Sequence, residues 1–288
     1  MRRIKLILII VEFSYQVFTF LSFCLSFWDI AMQNAYVFRA WKWLLAHLFI
    51  AASIGYIATM LAARLYQVGP AALLKSTTFG LPHLGMMITS HGMAFGIDEW
   101  LMLFFCNLTV AVLIVVLVYW AQMLNPHNHS RSFFRLRRFL QKDRSARYLV
   151  KIPIFARIQS PQLRLTSFLL LGVPYIATIA LGLMAGAWVG IGHVFSSSLP
   201  VALAYILPHG IPEIAAILLA CSIPVGTWMT IRPVIGNEST SESFRRIDRV
   251  LASQQFQQNL KMIINLLLIA GLIEAHLTVE VVSILRGN

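Results

Sequence analysis

The sequence predicts an all-α protein, a polytopic transmembrane helix bundle of about six to seven membrane segments, one of them broken by proline and glycine. Three observations carry this prediction. Hydrophobic residues make up 58% of the 288 and charged residues only 12%, where a soluble domain carries about a quarter charged. Mean hydropathy is +0.75. Several apolar runs reach the roughly 20 residues that a helix needs to cross the hydrocarbon of a bilayer.

The apolar segments are 6–28, 43–66, 78–97, 101–123, 165–191, 199–231 and 260–284. The first follows a basic start, Arg2, Arg3 and Lys5, as in a secretory signal. Around Cys24 to Phe27 there is no small-x-small cleavage site, so a retained helix is expected. The third carries Pro82, His83, Thr89, Ser90, His91 and the glycines at 80, 85, 92 and 96. It crosses, re-enters or lies outside the bilayer. His83 and His91 are two helical turns apart and read as a satisfied polar pair. Glu12 reads as a carboxylate reaching the interface, and Asp98 and Glu99 end the third segment.

Charge bias orients the chain, because short loops rich in Lys and Arg stay in the cytoplasm. With seven crossings and the N-terminus inside, only Arg39, Lys42 and Arg286 of the 23 Lys and Arg lie outside. The expected topology is therefore a multi-pass protein of the bacterial cytoplasmic (inner) membrane, N-terminus cytoplasmic and C-terminus external. Six crossings with a re-entrant 78–97 is the alternative. The chain divides into N-terminal membrane segments, 1–100, and a membrane core, 101–288, with a basic cytoplasmic insertion at 125–164.

Two polar stretches read as interfacial helices. In 131–152, Phe133, Phe134, Leu136, Leu140, Tyr148 and Leu149 mix with Arg131, Arg135, Arg137, Arg138, Lys142, Arg144 and Arg147. Apolar and basic faces together suit an anionic leaflet, so anionic membrane lipid is the expected partner there. An acidic protein is the second choice, and no nucleic-acid partner is expected. In 239–258, Ser239 and Glu242 form a capping-box signal, and Phe244, Ile247, Val250 and Leu251 recur at helical spacing.

Residues 206–217 read Ile-Leu-Pro-His-Gly-Ile-Pro-Glu-Ile-Ala-Ala-Ile. A histidine and a glutamate inside a membrane-length run are costly and mark a candidate site. Pro208 and Pro212, flanking Gly210, each lack an amide proton and clash one turn back, so the helix is expected to break in this run, with Pro212 starting the following half-helix. His209 and Glu213 have three readings: structural pairing of freed backbone, a polar centre for transport or coupling, and catalysis. Glu274 and His276 in the last segment extend the possible ligand set. No His-Glu-x-x-His helix is present, which argues against an intramembrane metalloprotease, and no metal or other cofactor is expected. Gly182, Gly186 and Gly190 repeat every fourth residue and form a close-packing face, within the bundle or in a homo-oligomer. The cysteines Cys24, Cys106 and Cys221 lie in apolar segments without paired spacing and read as buried residues. No phosphate-binding Gly-x-x-x-x-Gly-Lys loop, no Gly-x-Ser-x-Gly and no Cys-x-x-Cys occurs, so the chain is not itself an ATPase and is read as non-enzymatic.

The Pro-His-Gly-x-x-Glu run of 208–213, followed by an Ala-rich stretch, resembles the signature of the stage II sporulation protein M family of bacterial integral membrane proteins. Leu272-Ile273-Glu274-Ala275 with Thr278 is similar to that family's closing pattern. The resemblance covers about residues 102–285. The sequence departs from it at Pro212, where an aromatic is usual, and at Val279, where proline is common. The resemblance implies a membrane scaffold or assembly subunit that organises a membrane or cell-envelope complex with other proteins, as in sporulation. From another class, intramembrane His and Glu beside a broken helix resemble transporter sites, which implies a permease-like subunit with a separate ATPase.

Overall fold

The computed structural model describes residues 35–66, 99–125, 148–196, 198–235 and 240–276. The expectations for 6–28, for 78–97, for the seven cations Arg131 to Arg147 and for Thr278 lie outside these. Among the described residues every element is helical.

Helix α1 spans Ala35–Tyr66 and α2 spans Glu99–Met123. A single turn, α3, Pro153–Ala156, precedes α4, Pro161–Ser167. Ser160 caps α4 by accepting from the Leu163 amide, and Pro161 takes the first position, where its missing amide costs nothing. A π-helical turn, Phe168–Gly172, then leads into α5, Val173–Ser196. The wide turn sits directly before Pro174, where the α-helical ladder already lacks a donor. The long α6, Leu199–Ile231, ends in a short 3-10 turn, Arg232–Val234. Helices α7, Thr240–Leu251, and α8, Gln254–His276, complete the order.

Five of these helical stretches are long and apolar enough to cross a membrane: Ala35–Leu65, Phe104–Met123, Pro161–Ser196, Gly210–Ile231 and Gln254–Ile273. They form one bundle around α6. In its membrane-length window 72% of α6 is buried, against 28–44% in the other four. Residues 216–227 of α6 are buried without interruption. A helix apolar all round is a central helix, and α6 packs on α1, α2, α5 and α8. Hydroxyls in this dry interior turn back on their own helices: Ser222 Oγ donates to the Leu218 carbonyl at 2.5 Å and Thr227 Oγ1 to Ile223 at 2.8 Å. The outer helices show apolar side chains where lipid belongs, such as Phe49, Ile50, Ile54 and Leu65 on α1.

Two expectations are corrected. Helix α6 is not broken at Pro208–Pro212. Its helical backbone runs from Leu199 to Ile231 through Pro208, Pro212 and Pro224. Each proline removes one rung of the ladder, and burial against four neighbours keeps the rest in register.

The second correction concerns topology. Trp43 stacks on Tyr175 with ring centroids 5.0 Å apart, and Tyr56 stacks on His193 at 6.1 Å. Contacts advance together along both helices, so α1 runs parallel to α5. Tyr119 of α2 meets Phe256 of α8, and Gly226 of α6 lies against Val37 of α1. Hence Ala35, Met123, Pro161, Ile231 and Gln254 gather at one end of the bundle. Tyr66, Glu99, Ser196, Leu199 and His276 gather at the other. Tyr66 and Glu99 thus lie at the same end of the bundle, where the seven-crossing path would put them at opposite ends. At α1 the charge count does not separate the two directions, because moving Arg39 and Lys42 inward offsets moving Arg64 and Lys75 outward.

Candidate functional site

The motif residues Pro208, His209, Gly210 and Glu213 lie in the first half of α6, toward the Tyr66 end. Gly210 and Pro212 are buried and Glu213 is half-buried. The helix backbone holds His209 and Glu213 four residues apart, on one face. The side chains of Pro208, His209, Glu274 and His276 are outside the described set, and with them the four-residue ligand set that the last three would form with Glu213. Among the described residues no group of three or more His, Cys, Asp or Glu is placed to hold a metal ion.

The Glu213 carboxylate accepts a hydrogen bond from the side chain of Asn107 on α2. Asn107 is half-buried, with Phe104 buried a turn before it and Ala111 a turn after. The motif carboxylate thus ties the central helix to its neighbour at membrane depth. Sequence reasoning missed Asn107, although a side-chain amide well inside a mostly apolar span was a visible signal. Deeper in the bundle, Cys221 is fully buried and bonded to Thr178, which donates to the Pro174 carbonyl at 2.9 Å. This cysteine is part of the packed interior.

The glycine face lies inside the molecule. Gly182, Gly186 and Gly190 of α5 press on α1. A Cβ at Gly182 would sit 2.6 Å from the Leu48 carbonyl oxygen, and one at Gly190 2.9 Å from Thr59 Cβ. At Gly186 it would overlap the Ala52 carbonyl, and at Gly55 of α1 the Leu183 carbonyl. The seam is reciprocal, since Ala51, Gly55 and Thr59 repeat small residues every fourth position on α1. That second stripe was legible in the sequence and escaped notice. At the seam's far end the Tyr56 hydroxyl lies 2.8 Å from His193 Nδ1.

At the Ile231 end, α7 lies across the bundle on α2 and α6. Its Ser243, Phe244 and Ile247 are fully buried. Glu242 makes ion pairs with Arg245 at 2.8 Å, Arg246 at 3.4 Å and Arg249 at 3.6 Å. Arg246 also donates to the Thr230 carbonyl at 3.1 Å, which fixes α7 beside the end of α6. Arg164 braces the turn before α4 by donating to the carbonyls of Phe155 and Ile158, at 3.3 and 2.7 Å.

A bundle of membrane-length helices around a buried central helix, pinned by polar contacts at depth, defines a multi-pass integral membrane protein. Residues 100–279 match the family model of Stage II sporulation protein M, which is well over half of the chain, and the chain belongs to that family. Neither a curated protein nor a solved structure matches it.

Proposed function

We propose that this protein is a non-enzymatic scaffold or assembly subunit of a membrane or cell-envelope complex in the bacterial cytoplasmic membrane. The observation that carries the reading is the Glu213–Asn107 bond, which commits the motif carboxylate to holding two helices together. Family membership supports it. The partners are other membrane or cell-envelope proteins, with anionic lipid at the basic stretch 125–164. The end bearing Ala35, Pro161 and Ile231 faces the cytoplasm. Of the eleven Lys and Arg among the described residues, all but Arg64 lie toward that end, as the positive-inside rule requires.

The test is Glu213→Gln, which keeps shape and hydrogen-bonding capacity but removes the charge. On this reading the variant folds, restores function to a deletion strain and keeps its co-purifying chains. A well-folded but inactive Glu213→Gln protein would sink the reading and promote a permease-like subunit driven by a separate ATPase.

A further inference from the structure

Helix α7 is mounted in an unusual way for an amphipathic helix at a membrane surface. Such helices normally bury their apolar face in lipid. Here Phe244 and Ile247 are 0% exposed, seated in the end of the bundle. Val250 and Leu251 pack half-buried against the same core, so the apolar face is turned to the bundle rather than to a leaflet. The opposite face presents Arg245, Asp248 and Arg249, the two arginines with side chains 65% and 70% exposed. Glu242 is only 15% exposed and serves three guanidinium groups, so it orients them without neutralising them. Beside them, at the end of α6, exposed Arg232 stacks over the Trp228 ring, 5.4 Å from its centroid.

We propose that the outer face of α7, with Arg232, is a docking site for the acidic surface of a soluble cytoplasmic protein. Three features select this occupant. Guanidinium groups held by ion pairs and stacking are preorganised forks for carboxylates. The face points away from the bundle, with no apolar residue to favour lipid. Its mount is rigid, because Phe244, Ile247 and the Arg246–Thr230 bond fasten it to α2 and α6. A partner bound there therefore grips the end of the central helix that carries the motif. The proposal deepens the assembly reading by giving it a cytoplasmic partner of stated chemistry, and it rests on that reading.

The test uses the full chain in nanodiscs of neutral phosphatidylcholine, at about 0.15 M salt, where distant charges are screened. A photoreactive residue replaces Asp248, and the probe is a fluorescent peptide of alternating Asp and Glu. Cross-linking is expected, falling about tenfold in Arg245→Glu/Arg249→Glu and by an intermediate factor in Arg245→Gln/Arg249→Gln. Arg39→Glu/Lys42→Glu, at the same end but on α1, should stay within about twofold. Equal loss in all variants would show diffuse charge alone and overturn the proposal, as would an unchanged yield. In a second set of nanodiscs that include phosphatidylglycerol, its loss from the protein in Arg245→Glu/Arg249→Glu, with peptide capture intact, would assign the face to lipid and also overturn it. The cross-linking reads the surface alone. Failure of Glu213→Gln in cells with capture intact counts against the assembly reading, while lost capture with function intact counts against this surface.

Discussion

Glu213 and Asn107 show what a single polar pair does at membrane depth. Lipid offers no hydrogen bonds, so each group depends on the other helix. Replacing Asn107 with Leu leaves the carboxyl without that donor, at about 1–3 kcal/mol for an unsatisfied buried group. Glu213→Gln keeps an acceptor for Asn107 and should cost less. A double-mutant cycle with Asn107→Leu and Glu213→Leu, read by thermal unfolding in detergent, should give coupling of about 0.6–1.7 kcal/mol. Additive effects would mean that the bond adds nothing to the fold. The glutamate was legible as a site because a charge stands out in an apolar run. Its partner was not, because an asparagine among apolar neighbours carries no sign of which helix it will meet.

Helices α1 and α5 meet through backbone rather than side chains. Gly186 sits where a Cβ would collide with the Ala52 carbonyl, and that atom cannot swing aside. Gly186→Ala must therefore part the helices and should destabilise by about 1–3 kcal/mol, as overpacking does. Gly192→Ala would place its Cβ 3.1 Å from Ala202 Cβ, a contact that small shifts relieve, and should cost less. Thermal midpoints of the two variants in detergent decide this, and equal midpoints would count against the seam. Helix α7 tests the opposite kind of attachment. Phe244 is fully buried, so Phe244→Ala should cost about 3–5 kcal/mol. It should also release the end of α6, visible as faster hydrogen exchange at 228–235. The glycine repeat and the apolar spacing of α7 were both readable, since each is a periodicity within one helix. What each face packs against was not readable, because periodicity names a face and not its neighbour.

At the scale of the whole bundle the parallel pair of α1 and α5 sets the topology. In a background without native cysteines, Tyr36→Cys should resist an impermeant thiol reagent in intact cells, and Leu65→Cys should react. The seven-crossing path demands the reverse result. Ser132→Cys, in the basic stretch that leaves and rejoins the bundle at the Ala35 end, should also be protected. Labelling of Tyr36→Cys with Ser132→Cys still protected would reverse α1 against the rest of the bundle and with it the seam geometry.

The sequence alone determined the class of the protein. Low charge and membrane-length apolar runs leave a chain no other way to satisfy its backbone in lipid. It also determined the span limits near 66, 123 and 231, where apolar runs end, and the family, through residues 206–217. Tertiary structure alone decided three things. It carried α6 through three prolines, because burial on four sides outweighs the missing rungs. It chose Asn107 for Glu213. It turned α1 parallel to α5, where two stripes of small residues meet in register. Local composition measures what a segment tolerates, and direction and partnership follow from surfaces that meet only in the folded bundle.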